Sequence, residues 1–145
     1  MESIAVKILR EGAILPTYGS PEAAGADLYA CLTEPVVIEP GKTAFIPTGF
    51  AMAVPKGCAG LIYARSGLAC KRGLAPANKV GVVDSDYRGE ILVALHNHGG
   101  IPQTVEHGER VAQFVITPVL MPVYEVAESL SDTARDQGGF GSTGK

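Results

Sequence analysis

The sequence has no long apolar run and no leader-like start, so neither a membrane protein nor an exported protein is expected. No stretch approaches the roughly 18 consecutive apolar residues that indicate a membrane-spanning helix. The N-terminal sequence MESIAVKILR has no long apolar core and no cleavage signature, so it does not predict a signal peptide. We therefore expect a cytoplasmic protein without a membrane partner.

Cysteine and positive charge are also scarce. Cys31, Cys58 and Cys70 are odd in number and form no Cys-x-x-Cys pair, which favours inert thiols in a reducing compartment over a disulfide framework. Twelve basic residues against 15 acidic ones give a formal net charge of -3. This balance argues against a general nucleic-acid partner or an anionic membrane surface, although a local basic cluster can still hold a small anion.

Turn-forming residues, in contrast, are abundant. The 18 glycines and 10 prolines are spread along the 145 residues, which suits short strands joined by turns and disfavours long helices. Turn signals recur about every eight to twelve residues, with no internal repeat and no second domain. The pattern predicts a single all-β domain, built as a sandwich, a barrel or a jelly roll.

The predicted elements include one hairpin and one short helix. NKVGVV and EILVALHN resemble strands and flank DSDYRG, a combination that predicts a β-hairpin. SGLACKRG has room for a single helical turn. Alternation around Ile4, Val6 and Ile8 indicates an N-terminal strand, and HGERVAQFVITPV and PVYEVAE are expected to supply the last strands.

Several polar side chains are poorly explained by packing alone. Asp27 lies in an otherwise apolar strand, where it is either an outward-facing carboxylate or a functional one. Arg65 and Ser66 precede Gly67 at the expected start of the helical turn. Ser66 is either a plain N-cap or, together with Arg65 and the helix start, part of an anion-binding site.

Two further polar residues lie at the ends of predicted strands. Asp84 directly follows the apolar run VGVV, so it is expected at the mouth of a strand and partly shielded from water. A carboxylate held there can accept a proton from water. Gln113 lies between Ala112 and Phe114 at the entrance of another strand, where a surface role does not readily explain an amide.

The C-terminal sequence RDQGGFGSTGK resembles a phosphate-binding P-loop only superficially. Gly139, Gly144 and Lys145 match three positions of G-x-x-x-x-G-K-[ST]. The required Ser/Thr, the preceding strand and the following helix are all missing from the sequence. Phe140 is the only large apolar residue after Leu130, and its flanking glycines allow the backbone to approach a partner closely. This tail is therefore predicted to fold over another surface.

Five segments, taken in order, resemble the motifs of a known family. AGADLYA, ARSGLA, GVVDSDYRGE, GERVAQ and RDQGGFGSTG are similar to the five ordered motifs of the trimeric dUTPases, the dUTP nucleotidohydrolases. The resemblance extends from Ala24 to Gly144, and the third and fifth motifs are highly specific. Ala64 stands where the family usually has Pro, and Asp136 stands where it usually has Gly. Neither departure replaces a reacting group.

The resemblance implies a fold, an assembly and a reaction. The implied fold is all-β, a distorted jelly-roll β-barrel over residues 1–130, with a flexible C-terminal arm over residues 131–145 that closes over the active site. The implied assembly is a homotrimer whose active sites are shared between chains. The implied reaction is hydrolysis of dUTP to dUMP and pyrophosphate by water attack at the α-phosphorus, which removes dUTP and supplies dUMP for thymidylate synthesis.

The resemblance also assigns roles to individual residues. Asp84 corresponds to the residue that orients and deprotonates the attacking water. Mg²⁺ is carried mainly by the triphosphate, and Asp27 acts on it at most through water, which fits the reluctance of this ion to shed its hydration shell. Tyr87 corresponds to the residue that packs under the sugar and excludes a 2′-hydroxyl.

The implied substrate contacts fall into three groups. The phosphate contacts are Arg65, Ser66, Gly67 and Gln113. The arms of the predicted hairpin read the uracil edge through Asn78, Val82, Val83 and Leu92. The C-terminal arm supplies Arg135, Phe140, Gly141, Ser142 and Thr143; Phe140 would stack on uracil, and the arginine and the two hydroxyl residues would reach the γ-phosphate.

Two alternatives stay open. A dCTP deaminase resembles this family in fold and hairpin, but it carries a second Ser where Gly67 stands and a catalytic Glu on the strand after the hairpin, where residues 92–95 read LVAL. The other alternative is a non-catalytic jelly-roll module, and the intact Asp84, Tyr87 and Phe140 argue against it. Ammonia release from dCTP or pyrophosphate release from dUTP distinguishes these readings.

Overall fold

The computed structural model describes residues 3–140, which are built mainly from short strands. The all-β prediction is confirmed for this part of the chain. The strands are β1 Val6–Ile8, β2 Thr17–Tyr18, β3 Ala26–Tyr29, β4 Val36–Ile38, β5 Thr43–Pro47, β6 Phe50–Met52, β7 Cys58–Tyr63, β8 Leu74–Pro76, β9 Gly81–Val83, β10 Leu92–Asn97, β11 Gln103–Val105 and β12 Arg110–Pro118. The helix α1, Ser66–Arg72, has seven residues and ends at Gly73 in the left-handed conformation. It is therefore longer than the predicted single turn.

The strands form four antiparallel sheets. The largest has the order β2-β3-β12-β7-β9, and the second has the order β5-β10-β8. The pairs β1-β6 and β4-β11 complete the set. The central strand β12 pairs with β3 on one side and β7 on the other, with a register shift between Arg110 and Ala112. Both larger sheets contribute side chains to one apolar core.

The core follows the two-residue period of the strands. Alternate residues of β3 and of β10 are buried, and their neighbours are partly exposed. The largest fully buried apolar side chains come from all four sheets and from the connection before β10; they are Leu28, Ile38, Ile46, Phe50, Leu74, Ile91, Val93, Leu95, Val105 and Val111. Burial of these side chains fixes the register of the strands, and with it the positions of the polar residues at the strand ends.

Two buried polar side chains, Thr48 and Asn97, tie connections to the core. The Thr48 hydroxyl donates to the Ile91 carbonyl at 2.7 Å. The Asn97 amide donates to the carbonyls of Ile38 and Ile101, each at 2.8 Å, and its oxygen accepts the backbone N–H of the residue two positions later. In residues 3–140, every buried side-chain nitrogen or oxygen has a hydrogen-bond partner, so this core carries no unpaired polar cost.

The predicted hairpin around DSDYRG is wrong. Strand β9 pairs with β7 in the large sheet, whereas β10 lies between β5 and β8 in the second sheet. Residues 84–91 therefore cross from one sheet to the other instead of turning back along their own sheet. The turn-forming residues predicted that the chain reverses direction here. Which strands β9 and β10 pair with depends instead on how each of them is buried in its sheet.

The predicted last strand, PVYEVAE, is also wrong for this chain. Residues 119–130 follow β12 without belonging to a strand, and all of them are exposed. Leu120, Val123, Tyr124 and Val126 are at least 86% exposed. Contiguous exposed apolar side chains are typical of interaction surfaces.

None of the helices within residues 3–140 has the length and apolar character needed to cross a membrane.

Candidate active site

The loop between β9 and β10 builds one side of a cavity of about 200 Å³. The Tyr87 N–H donates to the Asp84 carbonyl at 3.2 Å, which closes a four-residue turn. Arg88 donates from one nitrogen to the carbonyls of Ser85 and Tyr87 and so braces the same turn. The cavity brings together six residues predicted from the sequence; they are Asn78, Val82, Val83, Asp84, Tyr87 and Leu92.

Asp84 lies where the sequence placed it, immediately after the last residue of β9. Its side chain is exposed in the single chain, so the predicted partial shielding from water is wrong here. The neighbouring Val83 is buried and Val82 is 63% exposed at the cavity wall. The carboxylate is thus held on a fixed strand end, open to water and to a ligand in the cavity.

Tyr87 is fixed in the cavity by contacts on two sides. Its hydroxyl donates to the Glu90 carbonyl at 3.0 Å. The hydroxyl end of its ring lies against Gly89, so close that a Cβ at position 89 would be 2.5 Å from ring atom Cζ. The residue is 43% exposed, which leaves one part of the ring free to meet a ligand.

Glu90 joins this loop to the rest of the molecule, a role that the sequence did not reveal. Its carboxylate accepts two hydrogen bonds from Arg10, at 2.8 and 2.9 Å, and a third from the Gly49 N–H at 2.9 Å. The hydrogen bond to Glu90 raises the pKa of Arg10 above its ordinary value. Arg10 and Glu90 are 80 residues apart; the RGE ending of the third motif was the only local signal of this contact.

A second and wider cleft, about 540 Å³, lies beside the start of α1. Its lining includes the predicted residues Arg65 and Gly67, together with Lys71, Arg72 and Arg110 and one carboxylate, Glu109, which pairs with Arg72 at 2.7 Å. This cluster of positive charge on a chain of net charge -3 is the local basic site that composition alone left open. Lys71 and Arg72 were missed by the sequence analysis because cationic residues at a helix C-terminus are ordinary.

The start of α1 differs from the N-cap interpretation of Ser66. Arg65 occupies the N-cap position, in an extended conformation and without a side-chain capping bond, and Ser66 is the first helical residue. Ser66 and Gly67 are both exposed, and a Cβ at Gly67 would meet no atom within 4 Å. The backbone of this first turn is therefore accessible from the cleft.

Asp27 is held by two arginines in the single chain. Its Oδ1 accepts from Arg65 Nε at 2.7 Å, and its Oδ2 accepts from Arg110 at 3.3 Å. The Asp27 side chain is only 14% exposed. With each oxygen already bound to a guanidinium, this carboxylate is a poor direct ligand for a cation, and contact through water fits it better.

Gln113 lies in the same row of the sheet as Asp27. On β12 it is the register partner of Asp27 on β3 and of Tyr63 on β7. Its amide donates to the Ala64 carbonyl at 2.9 Å, which fixes the chain just before Arg65. Its position thus supports the second cleft from the sheet below.

The described part of the arm lies apart from both clefts. Arg135 donates from Nε to the carbonyl of Gly138 at 2.8 Å. Phe140 is fully exposed. The predicted contacts Gly141, Ser142 and Thr143 lie outside the described residues.

The three histidines make contacts elsewhere on the domain. His96 shares a hydrogen bond of 2.8 Å with Thr43. The His98 ring packs edge-on against the His96 ring, with ring centroids 4.5 Å apart. His107 Nδ1 accepts the Leu32 N–H at 3.1 Å. Across residues 3–140, no three side chains of the His, Cys, Asp or Glu type are grouped so that they could hold a metal ion.

The sequence matches a known family over most of its length. A sequence profile of the dUTPase family matches residues 11–144. The deoxyuridine 5'-triphosphate nucleotidohydrolase of Desulfitobacterium hafniense (strain DSM 10664 / DCB-2) is 51% identical over 149 residues, covering 99% of this chain and 99% of that protein. The protein of the same name from Syntrophotalea carbinolica is 48% identical over 142 residues, covering 98% and 97%.

The fold matches solved structures of the same kind. The dUTPase of Staphylococcus bacteriophage 80alpha with dUPNHPP is similar with a TM-score of 0.91 and 28% identity over 100% of both chains. The dUTPase from phage phi11 of S. aureus has a TM-score of 0.81 and 26% identity, covering 91% of this chain and 100% of that one. The dUTPase-like fold expected from the five motifs is thus confirmed, and the chain belongs to the dUTPase family.

Proposed function

We propose that this protein hydrolyses dUTP to dUMP and pyrophosphate, with Asp84 activating the attacking water. Hydrolysis of dUTP follows from membership of the dUTPase family. The roles proposed for individual residues rest on one observation: Asp84, Tyr87 and Asn78 line the same cavity. A carboxylate at the rim of a cavity that has both polar and apolar walls can hold a water against a bound nucleotide.

The cavity walls suit recognition of a pyrimidine base. Gly81 and Val83 lie on β9, and a Cβ at Gly81 would be 3.3 Å from the Asn78 amide nitrogen, so the strand and the amide are in close contact. Asn78 and the nearby backbone groups read the uracil edge, with Val82 and Leu92 as apolar walls. A site that hydrogen-bonds its substrate rejects analogues whose donors and acceptors mismatch.

The basic cleft at α1 is the proposed binding site for the phosphates. Arg65 and Arg110 face it, and the exposed first turn at Ser66 and Gly67 adds backbone N–H groups. Gln113 supports this cleft from below through its bond to the Ala64 carbonyl. Charged hydrogen bonds of this type contribute about 1.5–3 kcal/mol each.

The family requires a metal, and Mg²⁺ is our proposal for it. When bound with the triphosphate, the ion would neutralise phosphate charge. Asp27 would approach it only through water, since both carboxylate oxygens bind arginines. The other steps depend on side chains of the protein. Asp84 holds and deprotonates the attacking water, and Arg65 and Arg110 orient the phosphates.

We further propose a barrel domain over residues 1–130 and a mobile arm over residues 131–145. Continuous exposure of residues 118–137 supports an arm that is separate from the folded part of the chain; the boundary at residue 131 comes from the family resemblance. Phe140 would stack on the base, and Arg135, Ser142 and Thr143 would reach the γ-phosphate, with Gly141 giving the backbone room to approach. A cytoplasmic location stays a prediction of the sequence.

A homotrimer with shared sites is the assembly we propose. The nucleotide cavity and the basic cleft have no lining residue in common among residues 3–140. An active site that uses both the cavity and the cleft would therefore combine the cavity of one chain with the cleft of a second chain. The apolar segment 119–126, almost fully exposed on the single chain, supplies a surface for that contact.

The activity itself is tested by pyrophosphate release. We expect the purified protein to release pyrophosphate from dUTP, and to act far more slowly on dTTP, dCTP and UTP, since the cavity reads both base and sugar. Ammonia release from dCTP, or no turnover of any of the four, would overturn the proposal. Residues 92–95 (LVAL) on β10 offer no carboxylate for deamination.

The shared site is tested with hybrid trimers. One variant carries Asp84→Asn, and the other lacks residues 133–145; each is expected to be nearly inactive alone. The two are unfolded, mixed and refolded together, and mass measurement confirms that both subunit types are present. Activity should reappear, because some sites pair an intact Asp84 from one chain with an intact arm from another. Hybrids that stay inactive would show that both come from one chain.

A further inference from the structure

Gly89 has no backbone reason to be glycine. Its φ lies outside the left-handed region that favours this residue, unlike Gly49 or Gly108. Other amino acids could adopt its conformation. The constraint at position 89 comes from what occupies the space beside it.

That space holds the Tyr87 ring. A Cβ at position 89 would lie 2.5 Å from Cζ and 2.9 Å from Cε2 of the ring, and closer still to the hydroxyl oxygen. Ordinary carbon contacts are about 3.5–4.0 Å. Any side chain at position 89 therefore forces the ring away by roughly 1 Å.

Tyr87 is partly exposed, so its ring can move, but only by disturbing the contacts that hold it. The Tyr87 hydroxyl is bound to the Glu90 carbonyl, and Glu90 is itself held by Arg10 and by the Gly49 N–H. The backbone of Tyr87 is fixed by its bond to Asp84. Displacement of the ring would break the hydroxyl bond and change the shape of the cavity wall.

We propose that Gly89 is a specificity-determining position. Because glycine has no side chain, the Tyr87 ring has room to lie where it excludes ribonucleotides. The inference rests on the proposed function, in which Tyr87 meets the sugar. Gly89 touches no substrate in this scheme and acts through the tyrosine as a positioning residue.

The experiment compares kcat/KM for dUTP and for UTP on the same preparations. Gly89→Ala should lower the preference for dUTP by about tenfold or more, the scale on which contact with one group discriminates substrates. Gly100→Ala is the matched control, since a Cβ there would meet no atom within 4 Å, and it should keep the wild-type preference. The ratio does not depend on the folded fraction of the preparation, so simple destabilisation would leave it unchanged.

A double-mutant cycle separates action through Tyr87 from any other effect. Tyr87→Ala alone should lower the preference, and adding Gly89→Ala to it should change nothing more, because no ring is left to displace. A Gly89→Ala variant that keeps the wild-type preference would overturn the inference. So would one that lowers the preference equally with and without the tyrosine.

A third variant does not depend on Gly89→Ala folding. Tyr87→Phe removes the hydroxyl, whose oxygen is the atom nearest to a Cβ at position 89, but keeps Cζ and Cε2, which still fill the space beside Gly89. It should retain most of the preference for dUTP. A loss as large as that of Tyr87→Ala would show that the hydroxyl bond, and not the space at Gly89, sets the ring position. Wild-type protein that fails to cleave dUTP would instead refute the proposed function.

Discussion

Asp84→Asn is expected to lower kcat for dUTP by about 100-fold or more, the scale on which a general base contributes. The carboxylate lies at the end of β9, on the rim of the cavity that also holds Tyr87 and Asn78. The amide has nearly the same shape, so the substrate should still bind. It cannot accept the proton of the attacking water. The measurement is steady-state pyrophosphate release, with nucleotide binding measured separately by titration.

Asp86→Asn is the matched control for this substitution. Asp86 is an exposed carboxylate two positions further along the same turn, and it is not among the residues that line the cavity. It should therefore keep near-normal turnover. Equal losses in the two variants would indicate an effect of loop charge, and near-normal turnover in Asp84→Asn would remove this residue from the mechanism.

Deletion of residues 133–145 is expected to lower kcat/KM for dUTP by about 100-fold or more, because a closing segment both positions the substrate and keeps water out. The melting temperature should hardly change. Residues 131–137 are exposed, and Phe140 is fully exposed, so their removal takes little packing from the folded domain. Kinetics and thermal unfolding on the same sample check both halves of the prediction.

Phe140→Ala in the full-length chain refines the result. Stacking of a base on an aromatic ring contributes about 1–3 kcal/mol, so this change should reproduce part of the loss. A truncated protein that hydrolyses dUTP as well as the full chain would show that the arm is not a catalytic lid. A large fall in melting temperature would show that it is part of the fold.

Local features of the site were predictable from the sequence because they depend on neighbours in the chain. Asp84 follows an apolar run, and the structure places it at a strand end for that reason. Arg65 and Gly67 precede or begin a helix, as their turn chemistry indicated. Phe140 is exposed in the single chain, and its predicted stacking on uracil stays a prediction.

Long-range pairing was not predictable in the same way. Turn residues indicate that the chain reverses, but they do not say which strand it will meet. Strand β10 pairs with β5, which lies more than 40 residues earlier, and not with the adjacent β9. The ion pair between Arg10 and Glu90 likewise joins positions 80 residues apart. Such contacts depend on which faces of the strands become buried, a property of the whole chain.

Because Asp27 is ion-paired with Arg65 and Arg110, an anion that binds these arginines must replace the Asp27 carboxylate. Arg65 and Arg110 already have a partner in the absence of ligand. A phosphate oxygen that recruits Arg65 must displace a carboxylate from it at 2.7 Å. If the cleft binds the phosphates as proposed, a triphosphate has more negative oxygens than a small phosphate with which to replace the lost contact. We therefore expect the Asp27 carboxylate to weaken the binding of small phosphates more than that of the triphosphate.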